Sequence, residues 1–394
     1  HVGRIAASWA GLNPDLTLYE VSVADAEGRP ALAFSRIDAV LSWWSVPSAS
    51  LKLRLLRIDE PVLNLRRAPD GQLFVAGIPL ADSGTGDDSV SDWVLAQRRI
   101  RINGATLIWE DEKRGAPPLI LEDVNFGLDN DGRRHRFGLT ALPPAELASR
   151  LDLRGEFRGT DLERIEAWSG TAFAGLEYID LAAWRRWIDY PVALPSGRGA
   201  LHGWFAFADG ALREITADAA LQDVDVRLAE NLPPLALEYM RGRLSTRFSG
   251  RGVEVQGQRI ELAGHELGRR RQSGAVAIAP TDFLVSWQPS EDGVVTGSVS
   301  ASQLDFAALG ALSAYLPFDA GTRQLLEAYA PQGRVAKLSA RWKGNAERLE
   351  TYALKADFAG LGLRAHGYFP GFSGLTGSVE ANQAGGAATL DSVQ

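Results

Sequence analysis

Several short runs of the sequence carry residue types that could do chemistry. Asp129-Asn130-Asp131-Gly132 has the oxygen donors and the sharp glycine that open a calcium loop. Thr140 stands where the closing glutamate belongs, so the run predicts a hairpin turn. Trp109-Glu110-Asp111-Glu112 gathers three carboxylates, the raw material of an acid/base pair. Lys113 and Arg114 follow at once, and the expected state is an exposed, charge-paired turn. His265-Glu266 begins like a zinc-protease helix, but Arg269 replaces the second histidine. His135, flanked by Arg133, Arg134 and Arg136, is expected at a solvated strand edge. Arg269-Arg270-Arg271 could meet an anionic headgroup or a partner, and reads as a solvated loop. No nucleophile elbow, phosphate loop or paired-histidine zinc motif occurs. The sequence therefore points away from an enzyme, and no metal or cofactor is expected.

The elements that would have to position such groups are strands. Apolar and charged residues alternate with period two in Ser50 to Arg57, where Leu51, Leu53 and Leu55 are set against Lys52 and Arg54. The phase slips at Leu56 and resumes at Ile58, as a β-bulge would make it do. The same alternation marks Ile100 and Ile102, then Ala105, Leu107 and Trp109, then Leu119 and Leu121. It returns at Val253 and Val255, Ile260 and Leu262, and Ala340 and Trp342. Asp-Gly pairs at Asp70, Asp131, Asp209 and Asp292, with Asn103-Gly104, supply the turn chemistry of tight hairpins. Strands joined this way make antiparallel meanders.

Three helices interrupt the pattern. Asp180 to Tyr190 opens on an N-cap aspartate and places Leu181, Trp184 and Ile188 on one face. Leu304 to Leu316 is apolar enough to lie on a sheet, and Thr322 to Ala330 is stopped by Pro331. Ala81 to Ser91 reads as a flexible loop before a short helix near Trp93 to Gln97. Residues 176–184 and 301–309 share a strand-to-helix passage through Asp-Leu/Phe-Ala-Ala, which hints at two related units meeting near 140–200.

Bulk properties narrow the classes. The chain has 394 residues, 45% of them hydrophobic and 23% charged, which is the composition of a folded protein. A formal net charge of −8 leaves no positive field for a nucleic-acid backbone, so nucleic acid is not an expected partner. The absence of cysteine excludes disulfides, thiolate chemistry and cysteine-held metals, and suits an oxidising compartment. The charge-free stretches 39–51 and 306–318 are shorter than the ~20 apolar residues of a spanning helix. No signal peptide opens the chain; His1 reads as the remnant of a tag, and the whole as a piece of something longer. The tryptophans number eleven, several near element ends (Trp43-Trp44, Trp109, Trp184, Trp187, Trp204), and would serve either a core or an apolar trough.

Longer runs resemble a known family. Gly11-Leu12-Asn13-Pro14-Asp15-Leu16-Thr17-Leu18 and Trp93-Val94-Leu95-Ala96-Gln97-Arg98-Arg99-Ile100 resemble the opening region of the YhdP family, within the AsmA-like group. The likeness continues in Trp109 to Glu112 with Arg114 to Leu119, in Asn130 to Phe137, and in Trp184 to Pro191. It is dense over the first half and thins after about residue 240. The resemblance implies a bridge-like lipid transfer protein of the Gram-negative periplasm, anchored in the inner membrane by a helix outside this sequence. It further implies a long twisted sheet curled into a groove that carries phospholipid between inner and outer membranes and supports the outer-membrane barrier.

The expectation is thus a mainly β fold: an extended, twisted antiparallel sheet curled into an open hydrophobic groove, with a few short helices. Its segments would be 1–140, a connection at 141–200, and 201–394 with helices near 304–330. The residues expected to line the groove are Leu51, Leu53, Leu55, Ile100, Ile102, Leu107, Trp109, Leu119 and Leu121. Phospholipid acyl chains are the expected ligand, and outer-membrane or periplasmic proteins further partners. Alternation alone also fits a closed sandwich, and a scaffold of envelope assembly that binds partners through sheet edges is the alternative function. A lipid- or carbohydrate-processing hydrolase would have to rest on the Glu110 to Glu112 cluster alone.

Overall fold

A computed structural model describes residues 1–24, 30–43, 45, 51–75, 78–79, 94–159, 167–264, 277–345, 349–368 and 370–392. The loop at 81–91, Trp44, Trp93, His265-Glu266 and Arg269-Arg270-Arg271 lie outside the described residues. Strand makes up 69% of the structure and helix 8%, and the sheet is open and antiparallel in all but one junction. The chain divides into two compact units, residues 1–189 with 202–212, and residues 190–201 with 213–394.

The first unit opens with β1 (Val2–Ala10), β2 (Asn13–Ala24) and β3 (Pro30–Leu41), paired in chain order. β4 (Leu53–Asp59) and β5 (Val62–Arg67) share one lane, because both pair in parallel with the long β8 (Arg99–Asp111). That parallel junction is the departure from a pure meander. It requires a crossover, which passes through β6 (Leu73–Val75), β7 (Ile78–Pro79) and the helical turn at 94–96. Antiparallel order then resumes in β9 (Leu119–Asp131), β10 (Arg134–Leu142), β11 (Leu151–Arg158) and β12 (Ser169–Asp180). β13 (Ala193–Ala208) carries residues of both units.

The second unit is a meander of β14 (Ala211–Arg227), β15 (Leu235–Ser249), β16 (Gly252–Gly264), β17 (Ala277–Pro289) and β18 (Val295–Asp305). It continues in β19 (Gln332–Gly344), β20 (Leu349–Leu363), β21 (Phe372–Asn382) and β22 (Gly385–Ser392).

Among the described residues two helices follow strands directly, and a third follows the second of them. α1 (Leu181–Trp184) and α2 (Phe306–Ser313) each begin where a strand ends in aspartate. Asp180 accepts a hydrogen bond from the Ala183 amide, and Asp305 accepts from Ala307 and Ala308, with nearly equal backbone angles. The echo between 176–184 and 301–309 is therefore a repeated piece of structure. α1 is shorter than expected: it closes after one turn, and Ile188 is 44% exposed. The indoles on either side are held elsewhere, Trp184 on the Leu147 carbonyl and Trp187 on the Pro117 carbonyl. α3 (Ala320–Tyr329) ends at Ala330, whose left-handed φ of 39° precedes Pro331.

The Asp-Gly pairs at 70, 131, 209 and 292 sit between consecutive strands, as expected. Asn103-Gly104 does not. It lies inside β8, where Gly104 adopts a φ of 61° and the register with β9 shifts, so this pair makes a bulge and not a hairpin.

Candidate functional site

Residues that pair across neighbouring strands lie on the same face, so the registers define which side chains share a side. In the first unit one row runs Ile5, Leu18, Ile37, Ile58, Ile102 and Phe126, then on through Leu139 and Leu153 to Ala174. The adjacent row runs Ala7, Leu16, Ala39, Leu56, Ile100 and Leu128, then through Phe137 and Gly155 to Ala172. Neither contains a polar side chain over nine strands. The second unit repeats the arrangement from β14 to β21. Ile215, Thr246, Val255, Val285, Val299 and Ala340 lead to Leu354 and Ala381, with a single threonine as the polar member.

The opposite faces carry the charge. In the first unit Arg57, Arg101 and Arg154 stand there with Asp38, Asp129 and Glu156. Arg99 and Arg101 both bind Asp129 at 2.8 Å, and although burial works against ionisation, the two guanidiniums hold that carboxyl below its ordinary value. Arg134 does the same for Glu156 through a direct hydrogen bond. In the second unit Arg243 pairs with Asp218, Arg247 with Glu214 and Glu254, and Lys355 with Glu380.

The apolar faces are not covered as the interior of a sandwich would be. Ile5 is 64% exposed, Val285 37% and Trp287 49%, while Ile102, Leu139, Val255 and Val299 are half-buried. Other members of the first unit's face, among them Leu53, Ile100, Leu119 and Leu128, are fully buried, and buried apolar groups also gather in small clusters. One joins Ala105, Val124 and Ala141; another joins Val335, Ala356 and Phe358, with Phe306 of α2 packed on it. Seven of the residues expected on a groove share the first unit's apolar face: Leu53, Ile100, Ile102, Leu107, Trp109, Leu119 and Leu121. Leu55 does not. The register with β3 leaves Arg54 as an extra residue, so Leu53 pairs with Leu41 while Leu55 pairs with Val40, on the other side. The slip therefore falls at Arg54 and not at Leu56. Leu51 precedes β4 and is 55% exposed.

Two polar groups read as exposed are buried at the margins of this face. Asp111 is 2% exposed, because it turns inward to accept from Arg67 Nε at 2.8 Å and from the Arg114 amide at 3.2 Å. Arg114 also reaches Asp189, and Glu112 alone of the trio binds outward, to Arg66. His135 is 1% exposed and stacked on Phe157 at 5.1 Å. Its Nδ1 lies 2.7 Å from Asn130 Oδ1 and its Nε2 3.1 Å from the Gly159 carbonyl. Asn130 in turn donates to the Gln97 carbonyl, and Gln97 Oε1 accepts from the Leu53 amide. The basic neighbours of His135 in sequence misled the reading, because only alternate residues of β10 face water.

A depression of about 710 Å³ lies over Gln256, Arg259, Asp282, Phe283 and Ser300, open to solvent. Among the described residues no three metal-ligating side chains come together, and no helix is long and apolar enough to cross a membrane, which says nothing of strands.

The family model for YhdP protein matches residues 1–394 of this sequence. The chain belongs to the YhdP family. No curated protein and no solved structure matches it. Membership suggests an envelope protein, and the long open β-sheet of this YhdP-family chain fits a lipid-transfer groove. The second unit's apolar face supplied no residue to the sequence-based lining. Its signal was nonetheless present in Phe283-Leu284-Val285-Ser286-Trp287, where the apolar set alternates with Leu284 and Ser286. Leu284 blurs the alternation.

Proposed function

We propose that this chain is a non-enzymatic segment of a lipid conduit, with acyl chains lying along its apolar sheet faces while headgroups stay in water. The observation that carries the reading is the apolar row, unbroken over nine strands in one unit and interrupted by one threonine over eight in the other, half open to solvent. At ~4.8 Å per strand step, eight strands extend such a row over about 34 Å. Each methylene taken out of water contributes about 0.8 kcal/mol, so about ten of them hold a chain with roughly 8 kcal/mol before ordering costs. No polar site is needed for affinity of that size. Family membership supports phospholipid as the ligand, the Gram-negative periplasm as the place, and traffic between an inner membrane, where the whole protein is anchored, and the outer membrane.

A second reading, a scaffold that binds protein through sheet edges, draws on β1, all nine of whose residues are exposed. Native mass spectrometry of the purified chain, followed by lipid extraction, separates the two. The conduit predicts co-purifying or readily taken-up phospholipid at about one or more copies per chain. A clean apo mass with no uptake of added fluorescent phosphatidylethanolamine would overturn it in favour of the scaffold.

A further inference from the structure

On the apolar faces of both units, an aromatic residue is paired directly across the ladder with a glycine. Phe137 of β10 faces Gly155 of β11, Phe283 of β17 faces Gly257 of β16, and Trp342 of β19 faces Gly297 of β18. In each pair the ring overlies the glycine. A Cβ built on Gly257 would sit 2.2 Å from Phe283 Cε1, one on Gly297 2.3 Å from Trp342 Cζ2, and one on Gly155 2.3 Å from Phe137 Cε1. None of these three glycines has a φ in the left-handed region, so their backbone would accept any L-residue. At Gly257 and Gly297 the overlying ring requires glycine, and at Gly155 the Thr171 carbonyl, 3.1 Å from the same Cβ, adds to it. By contrast, Gly242 and Gly333 have φ values of 140° and 93° and are glycine for the backbone's sake.

Resting on the conduit reading, we infer that these glycine–aromatic pairs set the clearance of the apolar face, and so act as specificity-determining positions for the acyl chains that lie along it. A phenylalanine or tryptophan standing upright from a sheet would obstruct a chain crossing from strand to strand. Laid on a glycine, the same ring becomes a level floor and still offers its area to the chain. Gly257 and Gly297 are buried beneath their rings, while Phe283 and Trp342 are half exposed above them, as a floor must be. The three pairs stand in the rows described above or beside them: Gly155 and Phe137 with Ile100 and Leu128, Gly257 and Phe283 next to Val255 and Val285.

Gly257→Val tests the assignment, because the clash it creates is with the far end of one side chain and is relieved by raising that ring, not by moving the strand. The probe is a diacyl phosphatidylethanolamine with a photoreactive diazirine in one acyl chain, added to the 394-residue chain, with adducts counted by intact mass and mapped to peptides. Wild type should be labelled on β17 and β18. Gly257→Val should lose about tenfold of that labelling, the equivalent of roughly 1.4 kcal/mol, and Gly257→Val with Phe283→Ala should regain it, since the raised ring is gone. Equal labelling of wild type and Gly257→Val, or no recovery in the double variant, overturns the inference while leaving the conduit standing. An unlabelled wild type overturns the conduit, and the inference with it. Circular dichroism confirms that each variant keeps its sheet; should Gly257→Val fail to fold, Gly257→Ala and Gly297→Ala put the same question with a single methyl.

Discussion

Placing a charge on one side of a strand and then on the other is the sharpest test of the apolar face. Val285 lies mid-way along the second unit's row and is 37% exposed, so a glutamate there keeps its carboxylate in contact with water. The cost to folding is therefore within about 1 kcal/mol, the span of strand propensities. A bound acyl chain, however, would lose its contact over roughly three methylenes, about 2.4 kcal/mol in all. Val285→Glu should then bind lipid about fiftyfold more weakly. Gln288 is on the same strand three residues on, exposed on the opposite face and paired with Thr296. Gln288→Glu adds the same charge to the same element and should change binding by no more than about twofold, the range of a surface substitution. The assay is a fluorescence titration with headgroup-labelled phosphatidylethanolamine, alongside circular dichroism at matched concentration. Equal losses in the two variants, or none in a folded Val285→Glu, would refute the assignment of faces.

Two further outcomes concern stability. Asp111→Ala removes a buried carboxylate from Arg67 and Arg114 and should cost about 3 kcal/mol, read as a fall in the urea midpoint; Glu112→Ala, which breaks the half-exposed pair with Arg66, should cost under about 1 kcal/mol. Glu261 accepts from Arg241 and from Tyr239, which together hold its carboxyl below the ordinary value. The fold thus favours the ionised form, so its contribution is complete above the unfolded value of about 4.3 and is lost as pH falls through the lower folded one. Melting temperature should be level above about pH 5 and drop below about pH 4, and Glu261→Gln should lower the plateau while shrinking that drop; an unchanged acid limb would contradict the role given to this carboxylate.

Much of the fold was legible because a half-exposed sheet writes its sidedness into every second residue. Ile100 with Ile102, and Leu107 with Trp109, could each be placed together from spacing, but it is the bulge at Asn103-Gly104 that brings the two pairs, an odd number of residues apart, onto one face. What spacing could not show was where a bulge absorbs a residue. Leu55 looks equivalent to Leu53 until β3 is laid beside it and Arg54 proves to be the extra residue. Asn103-Gly104 has hairpin chemistry but pairs within a long strand, because β9 continues opposite it. His135 and Asp111 were misjudged for a related reason: local charge predicts water, whereas burial depends on partners such as Asn130 and Arg67, distant or on other strands. The parallel junction of β4 and β5 with β8 was invisible, since nothing in either segment marks which strand it will meet.

Leaving an apolar face half open forgoes the burial that ordinarily stabilises a sheet, and the charged face does not make up the difference. Its ion pairs are mostly exposed, and each such pair contributes under about 1 kcal/mol. Their consistent placement has another consequence. A slip of one residue in any strand would carry Arg101, Asp129 or Arg154 onto the apolar side, so the pairs resist misregistration far more strongly than they stabilise the native state. The bulges act in the same sense. The extra residue at Arg54, the Asn103-Gly104 kink and the positive φ of Asp123 each restore the phase where a continuous strand would have drifted out of it. Selection for stability alone would cover such a face or interrupt it with polar groups. Keeping it almost free of polar groups and half open across eight or nine strands is intelligible if something apolar has to travel along it, and the rings laid over Gly155, Gly257 and Gly297 are what that passage would require of the floor.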